Sequence, residues 1–138
     1  MRIGIYGGTF NPPHLGHLTA ARTAFELLKL DKLYLIPAAV PPHKPLPPGS
    51  PDAAERLELT RLAGEQLGLG DRVETLDIEL RREGKSYTSD TLRELHAQHP
   101  EDELWLLMGT DMFLTLHTWH EPEVIFAHVG VAAFGRTE

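Results

Sequence analysis

The sequence predicts an α/β fold, an open parallel sheet of five strands with helices on both faces. Two observations carry that expectation. Short β-favouring apolar runs alternate with stretches whose apolar residues recur at helical spacing, the pattern of right-handed βαβ crossovers. One of those runs, Lys32–Pro37 (KLYLIP), is nearly continuous in hydrophobicity, as a strand covered on both faces must be. A length of 138 residues suits one domain over positions 1–138 and leaves little room for a second.

Each element has a local reason. Residues 2–6 form a β-favouring run that stops at Gly7-Gly8, a natural strand-to-loop break. From Leu15 the period changes, and Leu15, Leu18, Ala21, Phe25 and Leu28 line one helical face, with Asp31 ending the run. After the second strand comes a proline-crowded stretch over 38–51. Proline fixes φ and removes amide donors, so this is a long loop, and long loops in small domains are more often functional than idle. Ser50 or Asp52 caps a second helix running to about Leu67, with Leu59, Leu62, Ala63 and Leu67 on one face and Gly68 and Gly70 closing it. Residues 72–80 read as a third strand. A third helix opens at Thr88 or Ser89 and runs through Gln98, with Pro100 beyond its end. Residues 103–108 (ELWLLM) make a fourth strand, halted at Gly109. Short helical pieces follow Asp111 and Pro122, and residues 128–134 make a fifth strand.

Composition narrows the function. Hydrophobic residues at 41% and charged residues at 24% are ordinary globular usage, which argues against a disordered chain. Thirteen Lys and Arg against twenty Asp and Glu give a formal charge of −7, a poor match for a nucleic acid polymer. The absence of cysteine excludes disulfides, thiol catalysis and Cys-ligated zinc, and fits a reducing compartment. No apolar run approaches the roughly 20 residues that span a bilayer, and the N-terminus lacks the apolar core of a signal peptide. A soluble cytoplasmic domain without a membrane partner is the expectation. Oligomeric state is left open, a homo-oligomer included.

In an open parallel sheet, ligands sit beyond the carboxyl ends of the strands, near the point where strand order reverses. Three polar constellations each fall just after an expected strand. The first is Gly7-Gly8-Thr9-Phe10-Asn11-Pro12-Pro13-His14-Leu15-Gly16-His17. Glycines let a backbone approach a ligand closely, and the helix that follows offers unpaired amides and a positive dipole end to an anion. His14 and His17, three residues apart at that helix start, share a face. Two imidazoles there can donate to phosphate oxygens and stabilise charge that builds during transfer. An isolated H-x-x-H would more often be a Gly-rich turn with two capping histidines, and zinc is a weaker reading because no further ligand set has recognisable spacing.

The longer string GGTFNPPHLGH resembles the (T/H)-x-G-H signature of the nucleotidyltransferase superfamily, in the form found in bacterial nicotinate-nucleotide adenylyltransferases. Lys85-Ser86-Tyr87-Thr88-Ser89-Asp90-Thr91-Leu92 resembles that family's S-Y-T-x-x-T-L motif, and Gly109-Thr110-Asp111 followed by Trp119 resembles its G-x-D…W element. Pro41-Pro42-His43-Lys44 is similar to the proline-and-basic loop after its second strand. Four matches in order are far more specific than one. The resemblance implies a Rossmann-like sheet of the nucleotidyltransferase type. It also implies transfer of AMP from ATP to nicotinate mononucleotide, giving deamido-NAD and pyrophosphate by direct in-line attack. Such a reaction asks chiefly for positioning and for neutralisation of phosphate charge. Mg²⁺ would be held mainly through ATP phosphates, with no protein metal site.

The implied roles fall on matched positions. Gly8, Thr9 and Phe10 line the ATP site through backbone groups, with Gly109 beside them, and His14 and His17 are the catalytic stabilisers. Lys44 adds positive charge near the phosphates of both substrates, unless it is a solvated loop lysine. Asp111 accepts from ribose hydroxyls or caps a helix, and one residue can do both. Trp119 stacks on the pyridine ring, while amides around Thr88 and His120 meet the nicotinate carboxylate, favouring nicotinate over nicotinamide mononucleotide. Tyr34, Tyr87 and Trp105 are expected in the core or at its rim, and His96, His99, His117 and His128 at the surface or in packing.

Two positions depart from the family pattern. Asn11 stands where many relatives carry Asp. No segment matches the later motif, broadly I-S-S/A-T-x-I-R, whose helix start and arginine hold ATP phosphates; the expectation is a C-terminally truncated domain, with transfer by these 138 residues much reduced or absent. The alternatives are a nicotinamide mononucleotide or phosphopantetheine adenylyltransferase, or a non-catalytic nucleotide-binding module.

Overall fold

The computed structural model describes residues 1–8, 15–37, 53–81 and 87–134. Strands β1 (Arg2–Gly8), β2 (Lys32–Pro37), β3 (Val73–Thr75), β4 (Glu103–Gly109) and β5 (Gly130–Phe134) pair in parallel, in the order β3-β2-β1-β4-β5. Helices α1 (Leu15–Leu27), α2 (Ala53–Glu65), α3 (Thr88–Gln98), α4 (Thr110–Thr115) and α5 (Pro122–His128) connect them.

Alternation along each strand sorts the side chains to two faces. On one face Ile3 and Ile5 of β1, Tyr34 and Ile36 of β2, and Leu104 and Leu106 of β4 meet Leu92 and Leu95 of α3 and Ile125 of α5. On the other, Tyr6, Leu33, Leu35 and Leu107 meet Ala21, Ala24 and Phe25 of α1, with Leu67 just past α2. The expected parallel sheet with helices on both faces is therefore present. Every residue of β2 from Leu33 onward is buried, as its unbroken hydrophobicity required. Among the described residues, no helix is long and apolar enough to cross a membrane.

Three expectations need correction. The third strand is Val73–Thr75 only, not 72–80. After Leu76 N donates to Leu35 O at 2.9 Å, the chain turns at Asp77, whose carbonyl accepts from Leu80 N and Arg81 N. That turn sends Ile78 into the core and buries Glu79, so the apolar content of the segment serves packing rather than pairing. The fifth strand begins at Gly130, because His128 still belongs to α5, where Val129 N closes the last turn on Ile125 O at 3.1 Å. The buried face of α2 is Arg56, Thr60 and Gly64, whereas Leu59 and Leu62 are exposed. A Cβ at Gly64 would lie 3.2 Å from Leu35 Cδ1 and 3.3 Å from Val73 Cγ1. That close approach fixes the rotation of α2 and turns the leucines outward.

The end of α1 has a physical signature that the sequence hides. Leu30 N donates to Phe25 O at 3.0 Å and Lys29 N to Glu26 O at 3.3 Å, with Lys29 in the left-handed region at φ 53. This is the Schellman arrangement, and its accompanying apolar contact joins Leu30 and Phe25 in one cluster.

Gly130 marks the tightest point between β4 and β5. A Cβ there would stand 2.9 Å from two atoms of the Trp105 ring, which is itself tied by Nε1 to Glu103 Oε2 at 2.6 Å. A rigid indole held at its far end yields less readily than a leucine tip. Gly130→Ala is expected to cost about 1–3 kcal/mol, the range for overpacking. Urea denaturation would read this as a lower midpoint at unchanged slope.

Candidate functional site

Strand order reverses between β1 and β4, since the chain lays down β1, β2 and β3 to one side and then β4 and β5 to the other. Tyr6 pairs with Leu107, and two residues further on these neighbouring strands end at Gly8 and Gly109. The two glycines expected at the nucleotide thus end the two strands that neighbour each other at the switch point. Helix α4 begins directly after Gly109, so Asp111 is its second residue, and His17 is the third residue of α1, in that helix's opening turn. For Gly8, His17 and Asp111 the description is of the backbone. Thr9, Phe10, His14 and Lys44 lie outside the described residues, as does the rest of the proline loop.

A second group of expected residues is gathered around α3. Thr88 opens this helix behind Tyr87, which is extended (φ −108, ψ 139) and makes no side-chain cap. Tyr87 O accepts from Asp90 N at 3.1 Å and Thr91 N at 3.2 Å. Helix geometry leaves the amides of Thr88 and Ser89 without an intrahelical acceptor, as an anion site needs. Ser89 is fully buried, and its hydroxyl has no hydrogen-bond partner among the described residues. Thr91 Oγ1 donates to the buried Glu79 Oε2 at 2.7 Å, fastening the turn after β3 to α3.

Trp119 lies in a turn anchored at both ends by buried side chains, Leu116 before it and Ile125 after it. Its Nε1 donates to Thr115 Oγ1 at 3.1 Å, its backbone N donates to Leu116 O at 3.1 Å, and its half-buried ring packs against the α3 side of the core. The exposed His120 stacks on Tyr87, ring centroids 4.2 Å apart and planes 27° from parallel. The stack therefore sets His120 against Tyr87, the residue before Thr88.

Glu121, next in the chain, caps α5 from the left-handed region (φ 50, ψ 57). Arg93 of α3 grips it with both arms, Nη1 to Oε1 at 2.9 Å and Nη2 to Oε2 at 2.7 Å, and also reaches Asp90 Oδ1 at 3.1 Å. The Arg93 hydrogen bonds hold the Glu121 carboxyl below its ordinary range, and His120 Nε2, 3.2 Å from Oε1, acts in the same direction. Sequence reasoning missed this pair. Its only signals were the position of Arg93 just beyond the S-Y-T-x-x-T-L segment and that of Glu121 before a helix-opening proline.

The other described histidines are packing groups or surface residues. His99 sits between Tyr34 OH at 3.3 Å and Asp102 at 3.1 Å, His96 meets His128 edge-on at 4.9 Å, and His117 is exposed. No group of three or more His, Asp or Glu side chains converges on a metal position among the described residues.

A family model described as cytidylyltransferase-like matches residues 5–137. The chain is 47% identical over 136 residues to a Geobacter sp. (strain M21) protein named "Probable nicotinate-nucleotide adenylyltransferase", covering 99% of this chain and 61% of that one. It is 43% identical over 136 residues to an Exiguobacterium sibiricum protein of the same name, covering 99% of this chain and 69% of that one. The chain thus spans about three fifths to two thirds of the length of these relatives. In fold it is similar to Plasmodium falciparum nicotinic acid mononucleotide adenylyltransferase complexed with NaAD. The TM-score there is 0.79 at 14% identity, over 99% of this chain and 76% of that one.

Proposed function

The chain belongs to the cytidylyltransferase-like family and, within it, to the nicotinate-nucleotide adenylyltransferases, and from that membership we propose that it serves transfer of AMP from ATP to nicotinate mononucleotide. An oxygen of the mononucleotide phosphate attacks the α-phosphorus of ATP. The new P–O bond forms as the bond to the β-phosphate oxygen breaks, and pyrophosphate leaves with that electron pair. No nucleophilic side chain is needed, so the protein's work is positioning and charge neutralisation.

The observation that carries this reading is that β1 and β4, neighbours at the switch point, end at Gly8 and Gly109, with a helix following each. Gly8, Thr9, Phe10 and Gly109 line the ATP through backbone groups. His14 and His17 donate to phosphate oxygens as charge builds in transfer, and Lys44 adds a positive charge. Asp111 accepts from ribose hydroxyls. Trp119 offers an aromatic face to the pyridine ring, and amides at Thr88 and His120 receive the nicotinate carboxylate. The unbonded amides that open α3 suit an anion, which nicotinate has on its ring and nicotinamide lacks. Magnesium would be held chiefly through ATP phosphate oxygens and would offset their charge.

A side-by-side assay tests this. With ATP and nicotinate mononucleotide, deamido-NAD and pyrophosphate form in equal amounts, and nicotinamide mononucleotide is used at least tenfold less well. Equal use of the two mononucleotides contradicts the carboxylate site. Product at any rate above the uncatalysed background supports the enzyme reading, and binding of ATP without product favours the nucleotide-binding module.

A further inference from the structure

We infer that the Arg93–Glu121 pair is a positioning clamp that sets the mononucleotide subsite, by locking the start of α3 to the Trp119–His120 turn. The inference rests on the proposed substrate and goes beyond it, because neither residue is among those assigned to contact a nucleotide.

Three features place the clamp. Arg93 lies one and a half turns into α3 from Thr88, and both its terminal nitrogens meet separate oxygens of Glu121, at 2.9 and 2.7 Å. A planar two-bond fork restricts both distance and angle, which a single ion pair does not. Glu121 directly follows His120 and holds a left-handed backbone (φ 50, ψ 57) that non-glycine residues avoid, so the turn is strained toward one shape. The stack of His120 on Tyr87 joins the same two elements a second time, at the residue before Thr88. Two independent links therefore span the gap that a pyridine carboxylate must bridge between Thr88 and His120.

Exposure tells against a large stability role. Arg93 is 43% and Glu121 33% exposed, and ion pairs that wet contribute little to folding. The fork is bidentate and joins separate elements, so its effect belongs in the geometry of the turn.

The test uses the full chain and three changes. Arg93→Ala removes the fork, Glu121→Gly removes the carboxylate while easing the left-handed turn, and Arg93→Glu with Glu121→Arg exchanges the partners. Amide hydrogen exchange in the unliganded protein should rise at 88–91 and 119–124 in both single variants, with β1 and β4 unchanged, and recover in the exchanged pair. Affinity for nicotinate mononucleotide should fall about five- to tenfold in the single variants, with ATP affinity within twofold of the parent. Unchanged exchange at both segments overturns the clamp. Raised exchange with unchanged mononucleotide affinity overturns its substrate role, as does a parallel loss of ATP affinity. A parent chain with no affinity for nicotinate mononucleotide overturns the substrate reading instead, and the exchange data then judge the mechanical link alone.

Discussion

Replacing His17 with alanine is expected to lower the rate of adenylyl transfer about 10²–10³-fold while leaving ATP affinity within a few-fold. The reason is the differential nature of the interaction. On the proposed reading, several donors share the triphosphate in the ground state: backbone amides at a helix start, a second imidazole and a loop lysine. Loss of one among these weakens binding little. In transfer, charge concentrates on the oxygens around the α-phosphorus, and an aimed donor there is worth several kcal/mol because it need not reorganise. His17 stands in the opening turn of α1, which follows β1 at the switch point, so its place in the chain suits that aim. Single-turnover pyrophosphate release, set against ATP binding measured separately, checks it. Equal falls in rate and affinity would make His17 a binding residue only, and an unchanged rate would remove it from the chemistry.

Trp119→Ala should raise the KM for nicotinate mononucleotide about 10–100-fold and leave the KM for ATP nearly unchanged, since stacking on an aromatic side chain is worth about 1–3 kcal/mol per base. The ring also packs on the core, so part of any loss could come from the turn rather than from the stack. Trp119→Phe separates the two. It keeps an aromatic face and most of the buried area but loses the bond to Thr115 Oγ1. Recovery of most of the KM by phenylalanine supports stacking. A phenylalanine variant as impaired as alanine points to the Thr115 bond and the shape of the turn.

What could be read from the chain depended on how local the determinant was. β2 and α3 are legible because each is fixed by its own residues. A continuous apolar run is bounded by Asp31 and the prolines in the first case. In the second, an apolar face follows the polar residues at its start and ends near Pro100. The third strand failed because apolar residues at 76–80 signal burial but not whether burial comes from pairing or from a turn. The α2 face failed for a related reason. Gly64 carries no hydrophobic signal, yet its missing side chain decides how close the helix lies to Leu35 and Val73. At the site, the expectation for Thr88 and His120 came from motif resemblance, whereas the Arg93 fork depends on a contact between residues 28 positions apart. Such a contact leaves only a faint mark on either neighbourhood, an arginine just past one motif and a glutamate before a proline.

Most direct of all would be a crystal structure with deamido-NAD soaked in. The adenylate should lie at the ends of β1 and β4, against Gly8 and Gly109 with His14 and His17 at its phosphates. The pyridine ring should lie on Trp119, its carboxylate at the Thr88 and His120 amides. A dinucleotide bound elsewhere, or one whose pyridine end is turned away from the α3 start, would contradict the account.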